Sequence, residues 1–131
     1  MKLFHGTSVQ FDRFDDSFLG QNTDGNASDY YMAQTAHLGF WFSTSTDNLE
    51  DYCGGYIECE VELDNPYYVE CLKDLAVMIQ VYDKTGEEIR ELLIEEGYDG
   101  IQIQNDEEFG ATSYVAFSAD QIEITNENTT I

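Results

Sequence analysis

Two side chains in this chain ordinarily titrate near neutrality, His5 and His37, and acid–base chemistry at physiological pH would start from them. His5 follows the apolar pair Leu3-Phe4 and precedes Gly6-Thr7-Ser8, where a strand is expected to stop. His37 lies in a segment rich in Asn, Asp and Gly. A lone histidine is more often structural than catalytic, so neither defines a site by itself. Cys53, Cys59 and Cys71 form an odd set without the spacing of a zinc site. No Gly-x-Ser-x-Gly elbow is present, which argues against a serine hydrolase, and no phosphate-cradling glycine loop of the P-loop or Rossmann type occurs. The run Asp106-Glu107-Glu108 reads as a solvated acidic turn when taken alone. No metal site is expected.

The elements that must position these residues can be read from periodicity. Leu3-Phe4-His5 is a short first strand. Residues 12–37 lack periodicity and read as a long loop, holding at most one helical turn around Tyr30 to Gln34; loops of this length usually bind or cover something. Leu38 to Ser43 is an aromatic strand, and Ser45-Thr46-Asp47 offers N-caps for a short helix across Asn48 to Cys53. Between Tyr56 and Leu63 the chain alternates, with Ile57, Cys59, Val61 and Leu63 on one face and Tyr56, Glu58, Glu60 and Glu62 on the other. Asp64-Asn65-Pro66 turns the chain. Leu72, Leu75, Ala76 and Ile79 mark an amphipathic helix, and Ile89, Leu92 and Leu93 mark a second over Glu87 to Glu96, with Gly97 as its C-terminal glycine. Ile101 to Ile103, Ser113 to Phe117 and Gln121 to Ile124 are further strands. Asn105 to Ala111 is expected as a turn and 125–131 as a loose tail. Strands, then two helices, then strands predict an α+β class and one domain over 1–131.

Charge excludes whole classes of partner. Five Lys+Arg against 27 Asp+Glu in 131 residues give a formal charge of 5 − 27 = −22. Five scattered cations cannot build the basic face that nucleic acid or an anionic membrane requires. The 14% aromatic content separates this chain from disordered acidic ones. No apolar run approaches the ~20 residues of a membrane span, and the reduced-cysteine pattern predicts a cytoplasmic protein.

The segments His5-Gly6-Thr7, Gly39-Phe40-Trp41-Phe42-Ser43-Thr44, Asn48 to Cys53, Gly97-Tyr98-Asp99-Gly100 and Ser113 to Ile122 resemble, in order and spacing, the ADP-ribosyltransferase superfamily. The likeness is to its poly-ADP-ribose-polymerase and diphtheria-toxin-like side, and it covers most of the chain. It implies a split β-sandwich with a few short helices, and NAD as the substrate held. By the same resemblance, His5 would hold an NAD ribose and the Gly6 backbone would clamp the nicotinamide amide, with Thr7 completing the segment. Trp41-Phe42 would stand at the family's second-strand aromatic-Phe pair, Ser43 at the small residue after it, and Tyr52 at the tyrosine that stacks on nicotinamide. An aromatic face suits a flat pyridinium cation.

The chain departs from the family pattern at two positions. Trp41 lacks the hydroxyl of the usual Tyr, and Ser113 stands where members commonly carry the Glu that stabilises the ribosyl cation. A phage anti-CRISPR ADP-ribosyltransferase of similar size also opens with Leu-Phe-His-Gly and also has an acidic turn ending in glycine before the closing strand. By that analogy Asp106 or Glu107 would take the acid role. Two functions follow as expectations. One is an NAD-dependent mono-ADP-ribosyltransferase acting on a basic protein target, such as a nucleic-acid-handling host complex. The other is a catalytically inactive acidic binder whose Glu58, Glu60 and Glu62 face mimics phosphates.

Overall fold

The computed structural model describes residues 1–6, 35–46, 49, 54–106 and 111–126. Seven strands form one mixed sheet in the order β4-β5-β6-β2-β1-β3-β7. They are β1 (Lys2–Gly6), β2 (Phe40–Ser43), β3 (Tyr56–Val61), β4 (Pro66–Cys71), β5 (Gly100–Asp106), β6 (Ala111–Ala116) and β7 (Ile122–Asn126). All pairings are antiparallel except β4 with β5. Parallel neighbours need a crossover, and here helices α1 (Leu72–Tyr82) and α2 (Gly86–Glu95) supply it. The class is α+β.

The strands alternate side chains between two apolar cores on opposite faces, in keeping with a split sandwich. Leu72, Leu75 and Ile79 of α1 and Ile89 and Leu93 of α2 bury against Val69, Ile101, Ile103 and Val115. On the other face Leu3, Phe40, Phe42, Ile57, Cys59 and Val61 form the second core, with Ile122 and Ile124 packed onto it. The alternation expected for β3 is thus realised residue by residue.

The Gly97-Tyr98-Asp99-Gly100 segment is architectural. Gly97, at φ 97°, ends α2, and the Tyr98 N–H donates to the Leu93 carbonyl at 3.0 Å. Tyr98 packs edge-on to Tyr67 at 5.1 Å. The Asp99 carboxylate accepts from the N–H groups of Asp64 and Asn65 at 2.6 and 2.9 Å, fixing the turn before β4. A Cβ on Gly100 would lie 2.4 Å from the Val115 oxygen, and one on Gly39 would lie 2.4 Å from the Ala116 oxygen. Both glycines therefore let the chain close onto β6.

Three expectations change. Pro66 does not only turn the chain: it opens β4, where a missing N–H is tolerated at the first position of an edge strand. The turn expected from Asn105 to Ala111 is shorter, because β5 runs to Asp106 and β6 begins at Ala111. Thr125 is not loose. It lies in β7 at an extra residue opposite β3, and its hydroxyl donates to the Glu58 carbonyl at 3.2 Å. The expected helical turn around Tyr30 lies outside the described residues. So does the helix across Asn48 to Cys53, except Leu49, which is helical and buried.

Two helix ends make a paired test. Thr85 caps α2 in a reciprocal box with Glu88, so Thr85→Ala should cost about 1 kcal/mol in urea unfolding. Asp83 ends α1 at φ 53°, with its carboxylate near the negative end of the helix dipole. Asp83→Asn keeps the left-handed preference, removes that repulsion, and should gain about 0.5 kcal/mol.

Candidate functional site

The sheet brings His5, Gly6, Trp41, Phe42, Ser43 and Ser113 onto three adjacent strands. Phe4 pairs with Ser43 across β1 and β2, and Ser43 pairs with Ser113 across β2 and β6. One step along, His5 lies beside Phe42, with ring centroids 5.6 Å apart. Period-2 alternation then divides the cluster. His5 and Phe42 face the second core, whereas Trp41 packs against the helix-side core.

His5 is held by the strand beside it. Its Nδ1 lies 2.7 Å from the Trp41 carbonyl oxygen, which can only accept, so Nδ1 carries the proton. In the neutral ring Nε2 is then a lone-pair acceptor. Desolvation pulls the His5 pKa below its ordinary value, and the Trp41 carbonyl partly opposes that shift. His5 is therefore neutral at physiological pH.

Trp41 is fixed from its own side. Its indole Nε1 donates to the Thr35 carbonyl at 3.0 Å, within a 3-10 turn at Thr35–His37. Arg90 of α2 donates to the His37 carbonyl at 2.8 Å. A continuous set of contacts thus runs from α2 through this turn to Trp41 and on to His5. Arg90 and Thr35 belong to no site motif in the sequence; the available signal was that one of only five cations falls in the middle of a helix otherwise rich in Glu.

Ser43 and Ser113 are both buried, and the Ser43 Oγ accepts from the Ser45 N–H at 3.1 Å. The position expected to carry a glutamate thus holds a buried hydroxyl. The Asp106 backbone pairs with Ala111, two residues before Ser113, and an extra residue in β5 shifts the register between Ile103 and Asp106. The Thr112 hydroxyl donates to the Gln104 carbonyl within that bulge at 2.9 Å. Bulges of this kind re-aim side chains and recur beside active sites. Thr7, Tyr52 and Glu107 lie outside the described residues, as does the side chain of Asp106.

Other chemistry finds little support. The Cys59 thiol is pushed up to about 12, by burial first and the Glu58 charge second, which makes it a poor nucleophile. Among the described residues no group of three His, Cys, Asp or Glu could hold a metal ion. No described helix is long and apolar enough to cross a membrane.

The sequence profile of a family described as ART-PolyVal, ADP-ribosyltransferase in polyvalent proteins, matches residues 1–131. No curated protein matches. Among solved structures, one titled "Crystal structure of an anti-CRISPR protein" is similar at 14% identity over 95% of each chain, with a TM-score of 0.48.

The lowered His5 pKa has a measurable consequence. The unfolded chain binds a proton at His5 more readily than the folded chain, so this residue's contribution to stability rises with pH. It is complete above the unfolded value of 6.5 and is lost as pH falls below it toward the folded value. His5→Asn keeps a donor for the Trp41 carbonyl but does not titrate. The stability difference between wild type and His5→Asn should therefore shrink from about pH 7.5 to about pH 5, read by urea unfolding. A difference independent of pH would contradict the neutral, desolvated ring.

Proposed function

The chain belongs to the ADP-ribosyltransferases of polyvalent proteins, and from that membership and the His5 cluster we propose that it is an NAD-dependent mono-ADP-ribosyltransferase acting on a protein. Domains of this family use NAD as substrate. The observation that carries the reading is the His5 ring, neutral and oriented by the Trp41 carbonyl, at the point where Gly6 ends β1. A neutral Nε2 acceptor suits a ribose hydroxyl donor. The Gly6 backbone can approach a flat carboxamide closely, with Thr7 following it. Trp41, Phe42 and Ser43 supply the adjoining strand, and Tyr52 supplies the stacking face for nicotinamide.

In the reaction the bond from ribose C1 to the nicotinamide nitrogen breaks, and nicotinamide leaves with the bonding electrons. The ribosyl centre becomes cation-like and a carboxylate stabilises it. A nucleophile of the target attacks that carbon and loses its proton. Ser113 cannot supply the carboxylate. Asp106 or Glu107 takes the role, supported by the β5 bulge and by the pairing of the Asp106 backbone two residues from Ser113.

With a charge of −22, the pyrophosphate of NAD depends on local backbone N–H groups rather than on the overall field. The same field accelerates encounter with a basic protein surface. We assign the target to that class, a nucleic-acid-handling host complex such as a CRISPR–Cas defence system, and the chain to a phage or mobile-element effector in the cytoplasm.

The buried Ser113 also favours a second reading, an inactive acidic binder that occludes a basic groove. Two of the three carboxylates named for that role are engaged within the protein. Glu58 pairs with Lys2 Nζ at 3.2 Å, and Glu60 meets the amino group of Met1. Substitution separates the readings. Nicotinamide release from NAD should fall about 100-fold in His5→Ala and in either Asp106→Asn or Glu107→Gln, with folding retained. Absence of nicotinamide release by wild type with a target-containing lysate, together with unchanged inhibition by His5→Ala, would support the inactive binder.

A further inference from the structure

Helix α1 carries two apolar stripes where one would suffice. Leu72, Leu75 and Ile79 enter the core. Val77, Val81 and Tyr82 form a second stripe on another face and are 45%, 74% and 54% exposed, with Met78 between that stripe and the core it packs against. The exposed face of a one-sided helix is ordinarily polar. This second stripe walls an open groove of about 500 Å³ whose other wall is β4.

β4 is an edge strand, and among the described residues it pairs with β5 alone. Backbone amides and carbonyls on its outer side are a template for another strand. On the face away from α1, Tyr68 is 53% exposed. Beside it, Glu70 is immobilised: its carboxylate accepts from the Tyr68 hydroxyl at 2.8 Å and from Asn105 Nδ2 at 3.0 Å. Asp74 of α1 also lines the groove.

We propose that this groove docks an extended basic segment of another protein, which adds to β4 as a further strand. Strand geometry sets the pattern the segment must have. Successive side chains alternate between faces, so one set meets the apolar stripe of α1 and the other meets Tyr68 and Glu70. The fitting sequence alternates aliphatic with Lys or Arg, whose charge pairs with Glu70 and stacks over the Tyr68 ring. Charge decides between occupants. A second copy brings another −22 and is repelled, whereas a basic segment is attracted. In the strand order, β5, β6 and β2 separate β4 from β1, so this surface is distinct from the His5 cluster and does not depend on the proposed activity.

The test uses a fluorescein-labelled peptide, Val-Lys-Val-Arg-Ile-Lys-Val, and a counterpart with Glu at each basic position, titrated by anisotropy at about 0.15 M salt. The basic peptide should bind and the acidic one should not. Val77→Asn/Val81→Asn should weaken binding at least about tenfold with an unchanged thermal midpoint, since both valines are exposed. Glu70→Lys should shift preference toward the acidic peptide. Binding should also protect amides among Tyr67 to Glu70 from hydrogen exchange. Equal binding of the basic peptide to wild type and the double variant would mean diffuse attraction and overturn the proposal. So would absence of binding, or a concentration-dependent dimer that the double variant abolishes, which would assign the groove to a second copy.

Discussion

The carbonyl oxygens of Val115 and Ala116 limit what can stand beside β6. Each leaves no room for a Cβ on the chain next to it, at Gly100 and Gly39. With glycine at both positions, β5 and β2 close onto β6 from either side, and the register that places Ser43 opposite Ser113 follows. β1 then pairs with β2, which brings the His5 ring under the Trp41 carbonyl. A methyl group at Gly39 or Gly100 would disturb the sheet at its centre and, through it, the geometry of the described residues of the candidate site.

Electrostatics shapes what surrounds that frame. Two of the five cations hold elements together: Arg90 ties α2 to the turn before β2, and Lys2 ties β1 to β3. Glu87 and Glu88 lie in the first turn of α2, where the helix dipole favours them. The remaining acidity gives the molecule a strong negative field. That field opposes self-association and free phosphates, and it favours basic protein surfaces. In the function we propose, nucleotide recognition therefore rests on neutral groups, a desolvated imidazole, a glycine backbone and aromatic faces.

The elements most legible in the sequence are those with a single buried face. The alternation of Tyr56 to Leu63 and the helical stripe from Leu72 to Ile79 each admit one reading. β4 was not legible, because Pro66 signals a turn and Tyr67-Tyr68-Val69-Glu70 has no clear alternation. Its pairing is parallel and depends on a two-helix crossover that no local pattern encodes. The extension of β7 through Thr125 was hidden likewise, since a hydroxyl bound to the opposite strand looks like any polar tail residue. At the site, the segments could be ordered by resemblance, but the sequence could not tell that Trp41 and Phe42 face opposite cores or that Ser113 is buried against Ser43. The groove beside α1 was invisible for the same reason as β4.

In the function we propose, a neutral His5, oriented through Nδ1, presents Nε2 to a ribose of NAD. The most direct measurement is the imidazole ¹⁵N spectrum of selectively labelled protein during an NAD titration at neutral pH. Nδ1 should be protonated and Nε2 unprotonated in the free protein, with the Nε2 resonance moving saturably as NAD binds and Nδ1 moving little. A His5 resonance unchanged at millimolar NAD, or one showing the proton on Nε2, would contradict it.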